Sequence, residues 1–295
     1  MNETKAGFIA VVGRPNAGKS TLLNHLVGER VAMVSKKAQA TRKRMNMIVM
    51  HEESQLIFVD TPGIHHKEKL INQFMLEEAL KAMGDSDLII FLAPASDNIK
   101  EYEKFLELTE SKNSKHIIIL TKIDQVPQAK LLEALHSYQP FSDRFEAIIP
   151  FSVNKSVGKK DLLNIVSKHL PFSPWLFDTD ILTTEHIRSI YKELIRESIF
   201  ENMSDEIPYE SDVIIDKIDE EELIDRVQAT IVVEKEVQKR MIVGKGGEAI
   251  KRIGIGARKI MEQFAQKKIH LELIVVVKPG WSKNKIELER FGYIF

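Results

Sequence analysis

The chain has 295 residues, too many for one small domain and enough for two of ordinary size. Hydrophobic residues make up 43% and charged residues 29%, the balance of a packed globular protein, and a formal net charge of −1 leaves any nucleic-acid affinity to a local basic patch. The absence of cysteine excludes disulfides and thiolate metal sites and fits a reducing compartment. Residues 1–7 are polar and lack the apolar core of a signal peptide, and no apolar run approaches the roughly 18 residues needed to cross a bilayer.

Along the first part, short apolar runs alternate with longer helical patterns. Residues 8–12 predict a strand, followed by a glycine-containing turn and a helix through Leu26. Residues 47–50 and 56–59 predict two more strands, 67–83 an amphipathic helix, and 88–92 a buried strand. A helix at 101–110, a strand at 117–120, a helix at 129–135, a strand at 147–151 and a helix at 160–169 complete the series. This alternation predicts an α/β domain over 1–172, its mostly parallel sheet covered by helices on both faces. The proline-containing stretch that follows predicts a linker at 173–184. Residues 185–295 change order: a helix at 185–200, strands at 213–218 and 227–233, a glycine loop, a helix from Glu248 to about Gln266, and a strand at 270–277. The α-β-β-α-α-β order is that of a separate small α+β domain.

Gly13-Arg14-Pro15-Asn16-Ala17-Gly18-Lys19-Ser20 satisfies G-x-x-x-x-G-K-[ST] in full, between a predicted strand and a predicted helix. Glycines let backbone N–H groups turn inward around phosphates, and the helix N-terminus adds a favourable dipole. The spacing puts Asn16, Ala17, Gly18, Lys19, Ser20 and Thr21 around the phosphates, with Lys19 on the β- and γ-phosphates and the Ser20 hydroxyl on Mg²⁺. Asp60-Thr61-Pro62-Gly63 follows a strand; its aspartate is placed to hold Mg²⁺ through water, and Gly63 to offer its N–H to the γ-phosphate.

Thr121-Lys122-Ile123-Asp124 lies at the end of another strand, the edge where such sheets bind ligands. An ionised carboxylate only accepts hydrogen bonds. Guanine presents N1–H and an N2 amine side by side, whereas adenine presents a bare acceptor at N1, so Asp124 favours GTP or GDP over adenine nucleotides. Lys122 can lie along the base, and Ser152-Val153-Asn154 can approach it from the other side. The polar stretch Ser35-Lys36-Lys37-Ala38-Gln39-Ala40-Thr41-Arg42 is the natural switch, with Thr41 the hydroxyl that joins Mg²⁺ when a γ-phosphate is present. Where some GTPases place a water-orienting glutamine after Gly63, this chain has Ile64, which predicts slow intrinsic hydrolysis. His65 and His66 nearby read as solvated residues rather than as catalysts.

In the second domain, Gly244-Lys245-Gly246-Gly247 contains G-x-x-G between two helical segments. Such a loop admits a nucleic-acid backbone closely, and Lys245, Lys251, Arg252, Arg258 and Lys259 supply charge, interleaved with isoleucines at 250, 253, 255 and 260, so that one face packs inward while the basic residues reach phosphate. With the α-β-β-α-α-β order this looks like a type II KH domain, whose groove takes about four nucleotides of single-stranded RNA. Trp281, beyond the last strand, reads as a packing residue.

Taken together, the five nucleotide motifs occur in the order of the translation-factor-related GTPases, and a P-loop GTPase followed by a KH domain resembles the Era family of bacterial GTPases over nearly the whole chain. The switch stretch, Asp60-Thr61-Pro62-Gly63-Ile64-His65, Gly254-Ile255-Gly256-Ala257-Arg258-Lys259 and Phe291-Gly292-Tyr293 carry the resemblance most specifically. The chain departs from it where Thr121 stands in place of the fourth motif's usual asparagine, where Val153 stands in place of the fifth motif's alanine, and at Lys245-Gly246 within the glycine loop. The resemblance implies GTP hydrolysis with Mg²⁺, a monomer that binds the 3′ end of small-subunit ribosomal RNA, a role in 30S maturation, and a cytoplasmic protein with peripheral association at the inner membrane face. An ATP-dependent kinase or motor is opposed by Asp124, and a passive RNA module by Lys19, Ser20 and Asp60. A membrane-signalling GTPase with a non-ribosomal RNA target is the remaining alternative.

Overall fold

The computed structural model describes residues 4–34, 41–63, 70–109, 116–204 and 206–293. Among these, two compact units are distinguished: one takes residues 4–28, 41–63, 75–109 and 116–184, the other 29–34, 70–74, 185–204 and 206–293.

In the first unit a six-stranded sheet runs in the order β2-β3-β1-β4-β5-β6, from β1 (Lys5–Val12), β2 (Met45–His51), β3 (Ser54–Asp60), β4 (Leu88–Pro94), β5 (His116–Thr121) and β6 (Ala147–Pro150). Only β2 is antiparallel; it folds back on β3 through a tight connection. Every residue of β3, β4 and β5 is buried, so both faces of the sheet are covered, as their unbroken apolar runs require. The helices are α1 (Lys19–Val27), α2 (Leu70–Asp85, of which 75–85 belong to this unit), α3 (Lys100–Thr109), α4 (Gln128–Ser137) and α5 (Lys159–His169). Phe91, Tyr102 and Phe105 form an aromatic cluster under β4 and α3, with ring centroids 4.8–6.0 Å apart.

β1 lies between β3 and β4, so the chain winds to one side of it and then to the other. The loop after β1 therefore opens at the topological switch point, where α/β sheets bind ligands.

The stretch expected to be a linker is tied down on the first unit. Phe172 bridges Lys5 and Thr183 bridges Met47, and the Leu182 carbonyl accepts from the Ile48 N–H. The buried Gln55 side chain donates to the Phe177 carbonyl at 2.7 Å and accepts from the N–H groups of Leu176 and Phe177. Residues 173–184 are thus held by side-chain bonds from Gln55 on β3, of which local composition carries no trace.

The second unit has α6 (Ile187–Asn202), β7 (Ser211–Glu220), β8 (Ile224–Val233), α7 (Glu236–Val243), α8 (Glu248–Ala265), β9 (Lys268–Val277) and a short α9 (Lys285–Arg290). The sheet order is β7-β8-β9, with β8 and β9 parallel across the crossover made by α7 and α8. The core joins Ile190, Leu194 and Ile195 of α6 to Ile253, Ala257 and Met261 of α8 over Val227, Ala229 and Ile231 of β8. Helix α9 escaped the sequence reading. Asn284 caps it by accepting from the N–H groups of Ile286 and Glu287, and Leu288, Phe291 and Tyr293 bury beside it. Trp281 is buried against Phe291, as a packing residue.

Candidate nucleotide site and nucleic-acid interface

The loop from Gly13 to Gly18 is shaped by close approach. A Cβ on Gly13 would stand 2.5 Å from the Leu92 carbonyl oxygen at the end of β4, so only hydrogen fits there. Gly18 has φ +102°, a left-handed conformation open to glycine, immediately before α1 begins. The N–H of Leu22 donates to the Gly18 carbonyl, leaving the first N–H groups of α1 without helical partners and turned toward the loop.

Neighbouring strands fasten this loop. Thr61, after β3, donates its hydroxyl to the Val11 carbonyl at 2.7 Å. Thr121, ending β5, donates to the Ala17 carbonyl at 2.7 Å, and Lys122 donates to the Asn16 carbonyl at 2.8 Å. Pro62 is buried, and a Cβ on Gly63 would lie 2.9 Å from the Pro15 nitrogen, so the loop after β3 rests on the loop after β1.

Lys19 folds back over the loop, its Nζ 3.1 Å from the Gly13 carbonyl and 3.2 Å from that of Arg14. Burial lowers the Lys19 ammonium to about 8, with nearby Asp60 opposing the shift and Arg14 adding to it. Phosphate charge would restore the protonated form.

Ser20, Thr41 and Asp60 meet in one cluster. The Ser20 hydroxyl donates to Asp60 Oδ2 at 2.8 Å and lies 3.1 Å from Thr41 Oγ1, which is 3.5 Å from the same carboxylate oxygen. Two hydroxyls and a carboxylate are hard oxygen donors suited to Mg²⁺, so the residues present fit that ion. They come from α1, from the stretch before β2, and from the end of β3, and only the fold brings them together.

At the other end, Asp124 accepts from the Ser152 hydroxyl at 2.7 Å and from the Asn154 amide at 2.9 Å, one on each oxygen. These two bonds, Ser152 first, hold its carboxyl below the usual range and keep it an acceptor. Val153 is half-buried, and Thr21 and Asn16 are exposed.

Two features went unread in the sequence. Arg14 makes a bidentate pair with Asp97, at 2.5 and 2.6 Å, which secures the P-loop to the turn after β4. Asn154 grips Asp124. Neither pairing has a sequence signal, because the partners lie 83 and 30 residues apart with no fixed spacing between them.

In the second unit, Gly244, Gly246 and Gly247 all have positive φ, at +73°, +60° and +83°. A Cβ on Gly244 would meet the Ala249 Cβ at 2.7 Å, whereas at Gly246 and Gly247 nothing lies within 4 Å. The loop thus packs at its first glycine and stands bare at the other two. Lys245, Lys251, Arg252, Arg258 and Lys259 are all exposed, while Ala249, Ile253, Ala257, Ile260 and Met261 form the inner face of α8. Ile255 lies on the outer face: at this helical register it falls between Arg252 and Arg258 and is half exposed. Met241 on α7 and Ile274 on β9 are further exposed apolar side chains.

Residues 8–122 match the family model of a 50S ribosome-binding GTPase, and residues 194–282 that of a KH domain. The chain is 52% identical over 297 residues to GTPase Era of Helicobacter pylori strain ATCC 700392 / 26695, covering 99% of this chain and 98% of that relative. It belongs to the Era GTPase family. It is also 48% identical over 290 residues to the Era of Campylobacter concisus strain 13826, covering 98% and 100% of the two chains. Two solved Era structures superpose with TM-score 0.94 at 30% identity over 99% of this chain and 100% of theirs: an Aquifex aeolicus Era variant bound to GDP·AlF4⁻, and Era in complex with MgGDPNP and nucleotides 1506–1542 of 16S ribosomal RNA. The α/β GTPase domain followed by a KH domain is therefore the family architecture, as the order of motifs implied. No helix among the described residues is long and apolar enough to cross a membrane. The switch residues from Ser35 to Ala40, and Ile64, His65 and His66, lie outside the described residues.

Proposed function

We propose that this GTPase binds the 3′ end of small-subunit ribosomal RNA through its second unit, acts in 30S maturation, and hydrolyses GTP to GDP and phosphate in its first. The supporting observation is likeness over 99% of the chain to an Era solved with MgGDPNP and 16S nucleotides. The GTPase model's description names the large subunit, but it covers only residues 8–122, outside the glycine loop to which we assign RNA.

In the nucleotide site, Gly13, Asn16, Ala17, Gly18 and Thr21 present the loop and helix N-terminus to the phosphates, beside Thr61 and Pro62. Lys19 places its charge on the β- and γ-phosphates. Ser20, Thr41 and Asp60 hold Mg²⁺, which when bound neutralises charge on the phosphate oxygens. Gly63 donates its N–H to the γ-phosphate. Lys122 flanks the base, Asp124 reads its N1–H and N2 amine, and Ser152 and Val153 close the far side. Ile64 cannot orient water, so turnover is slow until another group does so.

In the second unit, the bare Gly246 and Gly247 let an RNA backbone approach, Lys245, Lys251, Arg252, Arg258 and Lys259 neutralise phosphates, and Met241 and Ile255 offer apolar surface to bases. RNA and GTP are read as linked, and linkage is reciprocal: whatever nucleotide does to RNA affinity, RNA does to nucleotide affinity. The same reading has the chain act as a cytoplasmic monomer that meets the inner membrane face only peripherally; sedimentation and vesicle flotation test those two points.

The experiment is fluorescence anisotropy of a short RNA from the 3′ end of 16S, with GDP or a non-hydrolysable GTP analogue, at fixed salt. Sequence-selective binding, tighter with the analogue and lost in Gly246→Asp, is the expected result. Equal affinity for a scrambled RNA removes the ribosomal assignment, and equal affinity in the two nucleotide states removes the linkage.

A further inference from the structure

The base-reading carboxylate is held by a side chain that neither nucleotide motif accounts for. Position 121 carries threonine, and its hydroxyl is committed to the Ala17 carbonyl at 2.7 Å, so no amide stands there to order the base pocket. Across the pocket, Asn154 donates its amide to Asp124 Oδ2 at 2.9 Å, opposite the Ser152 hydroxyl on Oδ1 at 2.7 Å.

Asn154 does not reach this position by chance of a loose loop. Ser152 and Val157 pair in both directions, N–H to carbonyl, at 3.1 and 3.0 Å, closing the turn at its base. Inside it, the Ser156 N–H donates to the Val153 carbonyl at 3.1 Å, and the Lys155 N–H to the Ser152 hydroxyl at 3.2 Å. Ser156 takes φ +51° and Gly158 φ +89°, the left-handed conformations that so tight a closure demands. A four-residue tip closed in this way sets Asn154 on the carboxylate.

A carboxylate oxygen accepts two hydrogen bonds. With Ser152 and Asn154 each occupying one oxygen, one acceptor site remains on each. The carboxylate is thereby fixed with a pair of side-by-side acceptors, the arrangement that matches guanine's N1–H and N2 amine together.

From this geometry we propose that Asn154 is a positioning residue for base specificity: it fixes the orientation of Asp124 so that both oxygens read guanine at once. The proposal rests on the reading of Asp124 as the guanine contact.

The test is equilibrium binding of GDP, IDP and XDP to the full chain, for the native protein and for Asn154→Ala, Asn154→Gln and Asp124→Asn. IDP lacks the N2 amine and uses only one of the two acceptor sites. Asn154→Ala should weaken GDP by about tenfold and IDP by only about threefold, so that the GDP:IDP preference falls, at the scale of one hydrogen bond to a charged group. Asn154→Gln, which keeps an amide donor, should recover part of the preference. If Asn154→Ala weakens GDP and IDP equally, Asn154 merely stiffens the turn and the proposal is overturned; it is likewise overturned if neither affinity changes. Asp124→Asn separates the underlying reading: a carboxamide pairs one donor and one acceptor, which suits xanthine, so preference should pass to XDP. If Asp124→Asn keeps the native GDP preference, the assignment of Asp124 itself fails, whatever Asn154 does.

Discussion

The two sites use glycine and charge in opposite ways. In the first unit nearly every group that faces the nucleotide is held by a partner from elsewhere in the chain: Thr121 on Ala17, Thr61 on Val11, Lys122 on Asn16, Ser20 on Asp60. Such a site is pre-organised, and its donors need not reorganise when charge develops on the phosphates. In the second unit Gly246 and Gly247 have no atom within 4 Å of where a side chain would start, and the basic residues around them stand in solvent. That surface works by leaving room and by summed charge. Damage to the first site should therefore be specific and steep, and damage to the second graded, except where its one packed glycine is touched.

The steepest loss is expected at Lys19. Lys19→Ala removes the cation whose Nζ hydrogen-bonds the carbonyls of Gly13 and Arg14, and should lower kcat/KM for GTP by about 10²–10³-fold, the scale of one transition-state charge contact. Native binding should also show a signature of the depressed ammonium. Because Lys19 titrates at about 8 and phosphate favours its charged form, binding takes up a proton above that pH. GDP affinity should fall from pH 8 to 10, measured calorimetrically in two buffers of different ionisation enthalpy, and Lys19→Gln should flatten this limb. A native profile that is already flat would mean the ammonium is not the group being recharged.

The glycine loop offers the sharpest contrast within one motif. Gly244→Ala forces a Cβ to 2.7 Å from the Ala249 Cβ and 2.9 Å from its backbone nitrogen, in a left-handed conformation, and should destabilise the second unit by about 3 kcal/mol. Gly246→Ala meets no atom and carries only the left-handed penalty, about 1 kcal/mol. Denaturant midpoints followed through the second unit's signal separate the two. For RNA the order reverses once stability is corrected, since a side chain at position 246 stands where the backbone must pass.

How much of this was legible beforehand follows the same division. The P-loop, Asp60 to Gly63 and Asp124 could be read because their chemistry requires a fixed local spacing after a strand. The glycine loop could be read because left-handed turns select glycine. What sequence did not yield were pairings made at a distance. Gln55 of β3 pinning residues 176 and 177, Arg14 on Asp97, and Asn154 on Asp124 join segments whose spacing along the chain is free. The isoleucines of α8 read together in the sequence, without a face for each; helical register puts Ile255 between two arginine-bearing positions on the outer face.

A smaller effect tests the buried charge of the second unit. Glu197 is buried on α6 and paired with Arg30. Burial pushes its carboxyl up to about 7, against the pull of Arg30 and of the Val34 N–H, with Glu201 adding to the rise. A carboxyl that is protonated more readily when folded costs nothing below its unfolded value near 4.5, and costs stability as pH rises through 7. Glu197→Gln should leave stability unchanged at pH 4 and raise it by about 1–3 kcal/mol at pH 8, since Arg30 is 41% exposed and can be solvated instead. Melting of the variant and native chains across that range decides it: a difference that does not grow with pH places the charge outside the stability balance.

The smallest effects should come from the basic residues of α8 taken one at a time. Lys251, Arg252, Arg258 and Lys259 lie on the exposed face of a helix that rises about 1.5 Å per residue, so Lys259 stands roughly 18 Å along the axis from Gly247. A four-nucleotide strand that crosses the glycine loop, rather than following α8, meets Lys251 and Arg252 and leaves the far pair to longer RNA. Each cation that meets a phosphate releases its share of condensed counterions, and its loss should reduce the slope of log Kd against log salt by about 0.7 for single-stranded RNA. With a tetranucleotide, Lys251→Ala and Arg252→Ala should show that change and Arg258→Ala and Lys259→Ala should not; with an RNA of a dozen nucleotides all four should. If the far pair alters the slope even for the tetranucleotide, the strand lies along α8 rather than across the glycine loop, and the contrast between a packed nucleotide site and a bare RNA loop would have to be redrawn around the helix.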